Sequence, residues 1–241
     1  MAVSVVSDSN FQLNDGFSTS ISFSYDATGS NALIALGETD LSRTWSSATY
    51  NGTSMTELWD YATLDGTGFT LGCYMMVSPS SGSNTLTVNF SGACGAAVNA
   101  VGLSGVETGS GVGGAHRTVY NNRAASGTSA TVTVVDSESG DLVIGNCVTL
   151  GATIAADGSQ TTLSETQEPF GGGTGSGDTS TKSASGASTQ LIWTVPDNYW
   201  ATGATALIAS GGGGGASVGT FVTGDLSGIG SPGRFFKDVL Q

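Results

Sequence analysis

Residues 69–90 read FTLGCYMMVSPSSGSNTLTVNF. Two strand-like runs, FTLGCYMMV (69–77) and NTLTVNF (84–90), flank a segment rich in Pro, Ser and Gly. Those residues favour turns, so the stretch predicts two strands joined as a hairpin. The pattern continues on both sides. STSISFSY (18–25) alternates and places Ile21, Phe23 and Tyr25 on one face. NALIALG (31–37) is a continuous apolar run suited to a central strand, and AAVNAVGLSGV (96–106) reads as another buried strand. Further along come SATVTVV (129–135), DLVIGNCVTL (141–150), STQLIWTV (188–195) and GATALIA (203–209). No amphipathic helix is evident, GATIAADG (151–158) having room for one turn at most, and no short tandem repeat is visible. Many strands with turn punctuation predict an all-β chain: a jelly-roll-like antiparallel β-sandwich with an extended C-terminal arm.

Two segments interrupt the strand rhythm. PFGGGTGSGDTSTKSASG (169–186) offers no apolar periodicity and reads as a long loop. The stretch 102–130 lacks strong periodicity and reads as a crossover between the two halves of the sandwich. Beyond residue 209 the strand pattern ends. A run of five glycines leads to GRFFKDVLQ (233–241). The expected organisation is therefore a sandwich domain over 1–209 and a Gly-rich linker with a docking arm over 210–241.

Composition narrows the function. Only 10% of the residues are charged, glycine accounts for 38 of 241, and the net charge is −13. That acidity repels nucleic acid phosphates, and the six Lys and Arg residues provide no basic cluster for an acidic substrate. With so few cations, long strands must protect their edges by closure or by neighbouring subunits. The opening residues MAVSVVSDSNF lack the basic and apolar regions of an export signal. No stretch reaches the length needed to span a membrane as a helix. Cys73, Cys94 and Cys147 lie in apolar runs without metal-ligand spacing, which reads as buried, reduced thiols made in a cytoplasm.

Chemistry-bearing constellations are sparse. His116, the sole histidine, sits in a glycine-rich connection without a nucleophile motif. A glycosidase needs two carboxylates converging on one cleft. The nearest groupings are Asp136, Glu138 and Asp141 in DSESGD, and Glu165 and Glu168 in ETQE. Both read as turn chemistry. The oxygen-rich turns ATLDGTG, DSESGD and VPDNYW lack the spacing of a calcium loop. We expect no catalytic set, no metal and no cofactor. Of the four tryptophans, Trp59 and Trp193 read as core; Trp45 and Trp200, beside turn-like segments, are candidate ligand contacts for a carbohydrate-binding adhesion module.

A resemblance adds to this. The chain carries a strand ending in Tyr50-Asn51-Gly52 with Met55 and Thr56 after it, then a turn with Pro79 and Gly82 before TLTV, then a Ser104-Gly105-Val106 step. These features resemble a β-sandwich, jelly-roll-like module found in phage structural proteins and bacterial surface proteins, over about residues 19–209. The family's recurring residues are turn glycines and apolar core positions, so the resemblance implies a fold and no catalytic residues. Together with the missing export signal it implies a non-enzymatic virion protein, made in the cytoplasm of a bacterial host. A capsid decoration or cement role comes first, a tail or fibre component close behind. The expected partners are the major capsid protein or tail proteins and further copies of the chain, a homotrimer being favoured, with neither nucleic acid nor membrane. Candidate docking residues are Phe221, Phe235, Phe236, Val239 and Leu240. The alternative for these aromatics is folding back onto an open edge of their own sandwich.

Overall fold

The structure is a computed structural model that describes residues 1–62, 68–151, 153–166 and 175–211. Sixteen strands occur among them: β1 (Ser4–Asp8), β2 (Gln12–Asp26), β3 (Ala32–Thr39), β4 (Trp45–Tyr50), β5 (Thr53–Ser54), β6 (Thr56–Ala62), β7 (Thr70–Val77) and β8 (Ser83–Ser104) form the first half. A single turn of helix, α1 (Val112–Ala115), lies in the crossover. The second half holds β9 (Tyr120–Ala124), β10 (Ser129–Val134), β11 (Leu142–Leu150), β12 (Ala155–Ala156), β13 (Thr161–Thr166), β14 (Gly175–Ser183), β15 (Thr189–Thr194) and β16 (Trp200–Leu207). All pairings between strands are antiparallel. The expected all-β antiparallel sandwich is thus present.

Four layers are stacked. The 22-residue β8 serves two of them. Its first part pairs with β4 and with most of β2; its last part pairs with β3 on one side and with β1 and the start of β2 (Gln12–Asn14) on the other. Leu86, Val88 and Phe90 from the first part share one core with Val98 and Ala100 from the last, and with Leu33 and Ala35 of β3. The first-half sheet is therefore folded over on itself around that core. In the second half, the sheet β13-β14-β11-β16-β9 packs on the smaller sheet β10-β15-β12, with Val132, Leu191 and Trp193 between them.

The two inner layers meet face to face. Ile34 and Leu36 on one face of β3 pack with Ile144 and Val148 on β11, Leu71 and Met75 on β7, and Leu207 on β16. The opposite faces point into the outer cores: Leu33 and Ala35 into one, Val143 and Cys147 into the other. Strands covered on both sides read as unbroken apolar runs rather than as alternation. That is why NALIALG and DLVIGNCVTL look as they do.

The halves are topological copies. The inner layers run β6-β7-β3-β8-β1 and β13-β14-β11-β16-β9; the outer layers run β4-β8-β2 and β12-β15-β10. Irregularities repeat too. The register of β6 against β7 slips between Glu57 and Trp59, and that of β13 against β14 slips between Thr162 and Ser164. Leu58 and Leu163, the residues at the two slips, both lie half-buried against the central core. Val106 and Ala209, which follow β8 and β16, pair with each other, with Glu107 N donating to Ile208 O (2.8 Å) and Ser210 N donating to Gly105 O (2.7 Å). Reciprocal pairing of equivalent residues is what a local two-fold axis produces.

Three expectations are corrected. SPSSGSN does not close a hairpin: β3 lies between β7 and β8, and the segment carries the chain from an inner layer to an outer one. Ser78 N donates to Asn31 O at the start of β3 (2.8 Å), and Gly82 takes a positive φ of 88°. Within 169–186, residues 175–183 form the buried strand β14, bonded on both sides. Its small side chains leave room for large ones arriving from neighbouring layers. GATIAADG, with room for one helical turn at most, holds the two-residue strand β12. The crossover expected over 102–130 joins the two halves but is shorter than expected, because residues 120–124 form β9, paired with β16, and β10 begins at Ser129.

Candidate functional site

The most unusual chemistry lies at the seam between the inner layers. Glu38 ends the apolar run of β3, fully buried, and neither carboxyl oxygen has a hydrogen-bond partner. It lies over Gly177 of β14, where an added methyl group would overlap Glu38 Oε1. Burial pushes its carboxyl well above the usual range, and the neighbouring Asp178 adds to that. A protonated, uncharged Glu38 avoids the large cost of an isolated charge in an apolar interior. Beside it, Asn146 Nδ2 donates to Gly37 O across the seam at 3.0 Å.

Asp178 follows Gly177 on β14 and therefore points to the other face. There its Oδ1 accepts from Trp193 Nε1 at 2.6 Å and from the Ser180 hydroxyl. Burial raises its pKa to about 6, against the lowering effect of these two donors. A charged residue ending NALIALGE is a legible anomaly in the sequence. Asp178 had no such signal, because GSGDTST reads as loop. All these groups are buried, Glu38 and Asn146 at the seam and Asp178 on the face of β14 that Trp193 meets.

The sequence-derived candidates fall as follows. Trp45 and Trp200 are corrected from surface contacts to core residues, 2% and 5% exposed. Each opens a strand, β4 and β16, and the first inward position of a strand points to the core. Trp45 stacks on Tyr74 (centroids 6.1 Å, 13°) and meets Phe90 edge-on (6.0 Å, 78°). Neither indole presents a free face for a sugar. Asp141 is also buried: its Oδ2 accepts from Arg117 Nε at 2.6 Å and from Glu138 N at 2.9 Å. That network fixes the entry to β11, as Asn31 fixes the entry to β3 by bonding Val106 N and O. Asp136 accepts from Thr118 N (3.1 Å). Glu165 lies on β13, directly opposite Asp178 in register. Among the described residues these carboxylates are not brought together at one cleft; Glu168 lies outside the described residues. His116 sits against its own backbone, Nδ1 2.6 Å from Arg117 O. Cys73, Cys94 and Cys147 are free and buried.

The arm's origin is well placed. Met1 N donates to Ser210 O (2.5 Å), Val3 N to Gly140 O (3.4 Å), and the described chain stops at Gly211 beside Met1. Both described termini therefore meet at one pole. The opposite pole carries the far ends of β3 and β11, with Thr39 and Leu150, and the beginnings of β7 and β14. Phe221, Phe235, Phe236, Val239 and Leu240 lie outside the described residues. No helix among the described residues is long and apolar enough to cross a membrane.

Comparison of the chain with protein-family models, with curated proteins and with solved structures gives no match.

Proposed function

We propose that this protein is a non-enzymatic structural component of a phage particle, a capsid decoration or cement protein, held in place by its C-terminal arm. The observation that carries this reading is the convergence of Met1 and Ser210 at one pole, which is where the described chain ends. The inner layers form one continuous core, and a body of that kind displays a surface without needing to move. Low charge and abundant Ser, Thr and Gly suit a surface packed among repeated neighbours.

Anchoring follows from simple energetics. Burying one large apolar side chain contributes roughly 1.5–3 kcal/mol, while fixing each residue of an arm costs about 1–2 kcal/mol. One arm binds weakly; several arms bound to one lattice multiply their effect. A homotrimer with Phe235, Phe236, Val239 and Leu240 engaging the major capsid protein meets that requirement, and a tail location meets it nearly as well. Synthesis in the host bacterial cytoplasm agrees with three thiols left free.

Electron cryo-microscopy of the source particle tests this. The expected result is density for the double sandwich at repeated surface sites, with the Met1 and Ser210 pole turned toward the shell. Absence of the protein from purified particles would overturn the reading.

A further inference from the structure

An unpaired sheet edge is a template for another strand unless a charge, a bulge, a short length or a covering segment blocks it. Among the described residues nearly every edge carries such a block. β1 is five residues long, slips in register between Val5 and Ser7, and ends in Asp8. β6 slips between Glu57 and Trp59 and carries Glu57 and Asp60; β13 slips between Thr162 and Ser164 and carries Glu165. β5 and β12 have two residues each. β9 carries Arg123, and on β10 the Thr131 carbonyl already accepts from Asn122 Nδ2 (2.9 Å).

The exception is the second part of β2. Residues 20–26 pair in unbroken register with residues 83–89 of β8, and among the described residues no strand pairs with their other side. The stretch contains no Lys, Arg or Pro, and its one charged residue is Asp26 at the end. β4 and β8, which complete the outer sheet, contain no charged residue. Copies of a chain with net charge −13 repel one another, and this edge is where two of them can approach with the least repulsion.

The side chains suit self-pairing. Ile21, Phe23 and Tyr25 point into the outer core, so Ser20, Ser22 and Ser24 point outward. Ile21 and Tyr25 are buried, whereas Phe23, equally inward, is only partly covered. A second β2 laid antiparallel with Ser22 on a two-fold axis sets Ser20 opposite Ser24 and Ile21 opposite Phe23. Serines meet serines on one face, Phe23 gains an apolar neighbour on the other, and the two Asp26 carboxylates stay at opposite ends. We propose that residues 20–26 pair with the same residues of a second copy, an isologous contact that joins two outer sheets into one running β4-β8-β2-β2-β8-β4. The contact and the arm are different parts of the chain, so homotrimers held by their arms can be linked to one another through β2. The inference does not rest on the particle reading, and its test uses no particle.

The test is sedimentation of the full chain beside two variants. S22K puts a cation at the axis on both copies; Ser22 is exposed, and circular dichroism checks that the body still folds. T85K puts the same charge on the same outer face, one strand in from the edge, since Thr85 pairs with Ser24. The parent and T85K should self-associate equally, and S22K at least tenfold more weakly. A parent that stays monomeric at sub-millimolar concentration, an S22K chain that associates as the parent does, or an equal loss in T85K would overturn the proposal. A second measurement needs no variant. Amide exchange in residues 20–26 of the parent should slow several-fold as concentration rises, with residues 161–166 on the β13 edge unchanged. Exchange in 20–26 that is independent of concentration would contradict the pairing.

Discussion

Glu38 of β3 and Gly177 of β14 face each other across the seam between the two halves, the carboxyl of one occupying the space that a side chain on the other would need. G177A forces an overlap in a closely packed interior, which costs typically 1–3 kcal/mol. The expected loss is of that size in urea denaturation. Adding E38A removes the obstructing group, so the double variant should lose less than the two single changes summed. Strict additivity would mean that the two residues do not meet.

The buried carboxyls set a pH dependence with a definite sign. Asp178 titrates at about 6 in the folded protein and near 3.8 when unfolded. Between those values the folded state binds the extra proton, so stability falls as pH rises from about 4 to about 6 and is flat above. A shift of that size corresponds to about 3 kcal/mol. Glu38, raised by its burial, adds to the decline with the same sign. D178N keeps an acceptor for Trp193 and Ser180 but cannot ionise. Unfolding free energies at pH 4.5 and pH 7.5 should differ by about 2 kcal/mol less in D178N than in the parent. Self-repulsion from the net charge acts in both proteins and cancels in this difference. An unchanged difference would show that Asp178 is ionised throughout.

Trp45 and Trp200 hold the outer cores. W45A removes a ring stacked on Tyr74 and should cost about 3–5 kcal/mol, the usual range for an aromatic truncated in a core, with W200A comparable. The measurement is again equilibrium unfolding. A loss below about 1 kcal/mol for either would indicate an exposed indole and reopen ligand contact at that site.

The thiols offer a probe of closure. Burial pushes Cys94 up to about 12 and raises Cys73 and Cys147 well above the usual thiol range. The reactive thiolate is therefore scarce as well as enclosed. A chromogenic disulfide reagent at pH 8 should leave all three unreacted in the folded protein over the time in which it modifies all three in denaturant. Rapid reaction of any one under native conditions would contradict the packing described.

What could be read from the sequence followed the apolar pattern. β3, β11, β15 and β16 were legible because their side chains meet apolar neighbours. β14 was not, since its neighbours supply the bulk: Glu38 sits over Gly177, and Trp193 reaches Asp178. The duplication stayed hidden because equivalent positions share environments rather than identities. Leu58 and Leu163 coincide, yet Met75 corresponds to Thr181, and Pro196 falls between β15 and β16 where β8 runs through. Pro lacks the amide hydrogen that a continuous interior strand needs. Trp45 and Trp200 were misplaced, while Trp59 and Trp193 are core as read, because proximity to a turn says nothing about the face on which a strand begins. Only in the fold did Asp178 become a visible partner of Glu38.

The proposal of a particle component anchored by its own arm is tested most directly by binding to particles lacking the protein. Full-length chain and a version ending at residue 229 are mixed with such particles and sedimented, and occupancy is measured against concentration. The account predicts saturable binding of the full-length chain and at least a tenfold weaker affinity without residues 230–241, both bodies remaining folded by circular dichroism. Equal occupancy by the two, or no binding by the full-length chain, would contradict it.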